Sequence, residues 1–267
     1  MKTLFLLALI SSLLVSCGHM KKEKSAKESY SPVVSYVEGE KNFSAKVELP
    51  KTKFESKIPL VVIVHEWWGR TPYIEERGQM LNKEGFATLL VDLYGNNQTV
   101  TTPQEAQALA TPFYQDAQIG VNRLHQFIEQ AKKDPHVDAS KIYVIGYCFG
   151  GTQALNLARS GADIKGVVSF HGGLAAGIPA KNIKADILAL NGLADPMVPA
   201  KERAAFEKEM KSVKAKYKVV NYKNATHAFT NPGSTAIGKK YKMPIAYNKT
   251  ADEASWKELI KFLNKNK

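Results

Sequence analysis

Five runs of this chain are apolar almost from end to end: PLVVIV (59–64), FATLLVD (86–92), KIYVIG (141–146), IKGVVSF (164–170) and ADILALNG (185–192). A strand with one wet face alternates polar and apolar residues, whereas a strand covered on both faces does not. The five runs therefore predict buried strands, and KYKVVNY (216–222) predicts a sixth. Upstream, VVSYVEG (33–39) and FSAKVELP (43–50) alternate around Gly39, the pattern of an antiparallel hairpin. Between the strands the period changes to that of helices. Helices are predicted over 72–85, over a short stretch at 102–110 inside a longer connection, over 116–133 with Val121, Leu124 and Ile128 on one face, over 151–161, and over 200–210. A last helix places Trp256, Leu259, Ile260 and Leu263 on one stripe. Residues 231–256, rich in Pro, Gly and Lys, read as a long loop and a candidate lid. Apolar strands alternating with helices predict an α/β domain over 33–267: a mainly parallel sheet with helices on both faces. Ligands of such sheets bind beyond the carboxyl ends of the strands, so the residues after each strand are the candidates.

The first 32 residues follow different rules. MKTLFLLALISSLLVSC has a positive start and a short apolar stretch, the layout of an export signal. It ends in LVSC, which resembles the processing box of bacterial lipoproteins. That resemblance implies a signal peptide over 1–17, a lipid on Cys17, and a tether over the polar, lysine-rich residues 18–32. It also implies an exported protein on the periplasmic side of a membrane, with the outer membrane favoured by Gly18 after the cysteine. The chain has two cysteines. A lipid on Cys17 leaves Cys148 as a lone thiol.

Composition adds little to the fold. The chain has 267 residues, 44% hydrophobic and 23% charged, as expected for a globular protein. The net charge of +12 comes mostly from single lysines after residue 200 and reads as a solvated basic face. No motif of nucleic-acid recognition accompanies it.

The chemistry lies after the strands. GYCFGG sets Cys148 between Gly146 and Gly150 on a strand-to-helix turn, the layout of a nucleophile elbow with cysteine in place of serine. The helix N-terminus favours negative charge there, and the Phe149 N–H is a natural oxyanion donor. LADPMVP places Asp195 after the next-to-last strand, and KNATHAF places His227 after the last. Nucleophile, acid and histidine thus follow in the order this fold uses, with His227 as general base and Asp195 as its orienting carboxylate. His65 reads as structural. His171 in SFHGG is a candidate pocket-wall residue, as are Trp67, Trp68, Tyr94, Tyr147 and Phe229, each of which core packing would also explain. No histidine, cysteine and carboxylate cluster has metal-ligand spacing, so neither metal nor cofactor is expected.

HEWWG, DLYG, GYCFGG, DPMVP and THAF, in this order, resemble the dienelactone hydrolase family from about Val33 to the C-terminus. The resemblance implies an α/β-hydrolase fold and cofactor-free hydrolysis of small esters and lactones. It implies Cys148 as nucleophile, Asp195 and His227 as its partners, Glu66 as a carboxylate near the thiol, and the Trp67 N–H as second oxyanion donor. A carboxylate beside a thiol disfavours the thiolate and accepts the thiol's hydrogen bond, a state that substrate could undo. Pairing of Glu66 with Arg70 or Arg77 is the structural alternative. The family's two substrate-binding arginines fall on Asn96 and Asn231 here. Asparagine cannot supply a charged fork to a carboxylate, so the chemistry carries over while the anionic lactone does not. An acyltransferase or peptidase on the same fold, and a non-catalytic lipid-anchored binding protein, are the competing readings.

Overall fold

A computed structural model describes residues 33–51, 54 and 56–265. The expectations for the signal peptide, Cys17 and the tether lie outside these residues. Eight strands form one sheet: β1 (Val33–Glu38), β2 (Lys41–Glu48), β3 (Ile58–Val64), β4 (Ala87–Val91), β5 (Val137–Tyr147), β6 (Gly166–Phe170), β7 (Asp186–Gly192) and β8 (Tyr217–Tyr222). Their order is β1-β2-β4-β3-β5-β6-β7-β8. The β1–β2 and β2–β4 pairs are antiparallel and all others parallel.

The apolar runs are buried because neighbouring residues serve opposite faces. In β3, Leu60, Val62 and Val64 join the core on one side of the sheet, while Val61 and Ile63 join the core on the other. The second face is covered by α1 (Pro72–Lys83) through Ile74 and Leu81, and by α7 (Lys249–Lys265) through Leu259 and Leu263. The first is covered by α2 (Pro103–Gln115), α3 (Ala117–Ala131), α4 (Phe149–Arg159) and α5 (Ala200–Ser212). Lys218 of the edge strand β8 and Lys216 just before it are exposed, and charged side chains on an edge discourage pairing with another sheet.

Three elements differ from the sequence-based expectation. α2 runs past Ala110 and through Pro112 to Gln115, carried by burial of Phe113 in the core. β5 starts at Val137 and is irregular where it meets β3 between Ile58 and Leu60. The segment 231–256, expected as a loop, contains α6 (Ser234–Tyr241) and the first turns of α7. Gly238 lets α6 press against the backbone of Ile245, where a Cβ would collide.

Candidate active site

The elbow is built by excluding side chains. Cys148 joins β5 to α4 with φ 53° and ψ −117°, a conformation that L residues adopt only under constraint. A Cβ on Gly146 would run into the Gly150 carbonyl, and one on Gly150 into the carbonyls of Val64 and His65. The strained backbone is held from behind. The Cys148 N–H donates to Phe170 O at 2.9 Å and to His171 Nδ1 at 3.1 Å.

Three of the predicted residues meet at the sulfur. His227 Nε2 lies 3.0 Å from Cys148 Sγ, and His227 Nδ1 lies 2.8 Å from Asp195 Oδ2. Asp195 is fixed in turn by the Met197 N–H, which donates to Oδ1 at 2.8 Å. Burial would lower the His227 pKa, but the charge on Cys148 and the hydrogen bonds from both partners raise it to about 10. His227 is therefore held toward its protonated form. Phe149 and Trp67 line the sulfur's cavity, and neither backbone N–H donates a hydrogen bond in the loops and turns among the described residues.

Glu66 lies in the same wall, fully enclosed. Burial raises its pKa to about 7 against the hydrogen bond from Asn231 and the charges of His227 and Arg77. Asn231 Nδ2 donates to Glu66 Oε2 at 2.7 Å. The hydrogen bond of the sulfur therefore goes to His227, while that of Glu66 goes to Asn231. Neither arginine pairs with Glu66. Arg77 binds Asp252 at 2.7 Å and the Thr230 carbonyl, and Arg70 reaches toward Leu90 O.

Six predicted substrate-site or wall residues are placed otherwise. Tyr94 is buried among His65, Phe113 and Phe149, and its hydroxyl donates to Trp67 O at 3.0 Å, so it braces the wall from behind. Asn96 turns away from the cavity. Asp92 accepts the N–H groups of Tyr94, Gly95 and Asn97, and the resulting turn sends Asn96 to β2, where its Oδ1 accepts from the Asn42 N–H at 2.9 Å. His171 lies beneath the elbow with its Nε2 2.7 Å from Thr230 Oγ1. Burial and the charges of His227 and Arg77 hold it well below the usual histidine range, hence neutral. Asn231 holds Glu66 rather than lining the cavity. Tyr147 stacks on Phe170, and Phe229 packs against His171. His65 is structural as expected: its Nδ1 lies 2.6 Å from Glu66 O, and its Nε2 accepts from the Leu93 N–H.

The sulfur opens onto a cavity of about 420 Å³. Trp67 and Trp68 line it as predicted. Phe113, Tyr114, Glu202, Met243 and Ile245 line it without having been singled out in the sequence. Extending the period of α2 by one turn would have found Phe113. Glu202 is an ordinary helix carboxylate in the sequence, and only packing brings it here. Met243 and Ile245 make the segment after α6 part of the wall. Among the described lining residues there is no lysine or arginine.

A family model described as "Dienelactone hydrolase family" matches residues 43–267. Protein usf of Aquifex pyrophilus is 28% identical over 76% of this chain and 89% of its own length. Carboxymethylenebutenolidase 1 of Cupriavidus pinatubonensis is 37% identical over 43% of this chain and 50% of its own. Among solved structures, a dienelactone hydrolase-like promiscuous phosphotriesterase from metagenomic libraries, P91, superposes with a TM-score of 0.80 at 28% identity, covering 89% of this chain and 98% of that one. With the family's motifs on the strand ends of an α/β-hydrolase sheet, this chain belongs to the dienelactone hydrolase family and is a carboxylic ester and lactone hydrolase.

Proposed function

We propose that the chain hydrolyses small esters, lactones or thioesters that carry no negative charge, through a Cys148–His227–Asp195 triad and a thioacyl intermediate. The observation that carries this reading is the unbroken hydrogen-bonded line from Asp195 through His227 to Cys148 at the cavity wall. The thiolate attacks the substrate carbonyl and forms a C–S bond. The oxyanion is met by the Phe149 and Trp67 N–H groups. As the tetrahedral species collapses, the leaving alkoxide or thiolate takes the proton of His227 Nε2. Water then adds to the thioester, giving its proton to His227. Collapse of the second tetrahedral species breaks the C–S bond, releases the acid and restores the thiolate beside imidazolium. Glu66, tied to Asn231, leaves the sulfur with His227 before substrate arrives.

Anionic substrates are disfavoured because Asn231 is spent on Glu66, Asn96 faces β2, and no described lining residue carries a positive charge other than His227. A charge-assisted contact is worth about 1.5–3 kcal/mol, so each missing arginine costs an anionic substrate about one to two powers of ten in kcat/KM. The test has two parts. Cys148→Ala is expected to abolish turnover of aryl esters while unfolding at an unchanged temperature. Wild type is expected to prefer a neutral ester over its carboxylated match. Full activity in the alanine variant would contradict the triad, and a preference for the carboxylated ester would contradict the substrate class. From the LVSC motif we further propose that the chain is an exported lipoprotein held to a membrane by lipid on Cys17.

A further inference from the structure

We infer that the cavity contains a subsite for a cationic group of the substrate, formed by Glu202 and the aromatic wall. This rests on the hydrolase reading above and names the substrate class within it. Glu202 stands in the first turn of α5. Its Oε1 accepts the N–H groups of Leu174 at 2.5 Å and Ala175 at 3.1 Å, which fixes the carboxylate against the segment after β6. That segment is joined to the elbow helix, because Thr152 Oγ1 donates to Gly173 O at 3.2 Å. Thr152 is four residues past Cys148, and Glu202, Thr152 and Cys148 line the same cavity. Glu202 Oε2 has no hydrogen bond or ion pair among the described residues.

The rest of the wall suits the same guest. Trp67, Trp68, Phe113 and Tyr114 present aromatic surface to the cavity. Ring faces attract cations, most strongly an alkylated ammonium that sheds water easily. An anionic group would meet two carboxyl groups, Glu66 and Glu202, and no lysine or arginine among the described lining residues. In a largely apolar cavity such charges are poorly screened, so the sign of the substrate's charge matters more than in water. A purely architectural role for Glu202 needs only one acceptor oxygen toward Leu174 and Ala175. Glutamine supplies that oxygen without the charge.

The test uses three aryl esters of matched shape: 4-trimethylammoniobutanoate, its neutral isostere 5,5-dimethylhexanoate, and the glutarate hemiester. For the wild type, kcat/KM is expected to be about tenfold higher for the ammonium ester than for the isostere, and lowest for the hemiester. In Glu202→Gln the ammonium-to-neutral ratio is expected to fall toward one. Equilibrium binding of the same esters to Cys148→Ala reads the cavity's preference without turnover and is expected to give the same order. A wild-type ratio of one or less, or a ratio that Glu202→Gln leaves unchanged, would overturn the subsite. If wild type turns over none of the esters, the hydrolase reading fails, and the binding order alone decides the subsite.

Discussion

Glu66 is a carboxyl group whose charge is set by its surroundings. Its folded pKa of about 7 lies above the ordinary value of 4.5 because burial disfavours the anion. Between those two values the folded chain holds a proton that the unfolded chain has lost. Stability therefore falls as pH rises from about 4.5 to about 7 and is lower above that by about 3 kcal/mol from this group. Glu66→Gln keeps an acceptor for Asn231 and removes the charge. Chemical unfolding should show it more stable than wild type at pH 8 and nearly equal at pH 4.5. A variant no more stable at pH 8 would mean that the carboxylate is better solvated than its enclosure implies. At this scale the strand-end positions named Cys148, Asp195 and His227, and the family resemblance added Glu66. The sequence did not place Asn96 and His171, whose direction turns on backbone geometry, nor Asn231, whose side chain is held by Glu66 and the Gly233 N–H. Asn96 and His171 both adopt positive φ, 55° and 40°, and the direction of such a side chain depends on which neighbours accept the turn.

At the scale of elements, the elbow is clamped from below by a polar layer between α1 and α7. Arg77 of α1 reaches Asp252 of α7 and the Thr230 carbonyl, and its guanidinium lies 5.1 Å from the Tyr73 ring centre and 5.8 Å from that of Trp256. Tyr73 in turn shares a 2.6 Å hydrogen bond with Thr230 Oγ1, which contacts His171 beneath Cys148. Removing one partner of a buried pair strands the other, so Arg77→Met should cost about 3–5 kcal/mol in urea unfolding. Arg77→Met combined with Asp252→Leu should recover part of that loss. A double variant no better than the single would show that Arg77 acts through its other contacts. The main helices and strands were legible because apolar runs and helical periods record which faces are covered. α6 was not: it follows Pro232 and Gly233, and of its eight residues only Ser234 and Gly238 are buried, so no apolar stripe marks it.

For the whole molecule, the parallel sheet brings residues as distant in sequence as Glu66 and Asn231 to one end, and that end carries the chemistry. The membrane attachment proposed from the LVSC motif concerns residues outside those described. No helix among the described residues is long and apolar enough to cross a membrane. Cys17→Ser should therefore move the expressed protein from the membrane fraction to the soluble one, and retention would point to another anchor, such as the lysine-rich face around β8. The proposed mechanism depends on a covalent bond to one sulfur. It is tested most directly by mixing the enzyme with a slowly hydrolysed aryl ester, quenching in acid, and measuring intact and peptide mass. The expected result is one acyl group, on the peptide containing Cys148, absent from Cys148→Ala and lost at the rate of steady-state turnover. Turnover with no acyl group on Cys148, or with the group on another residue, would contradict it.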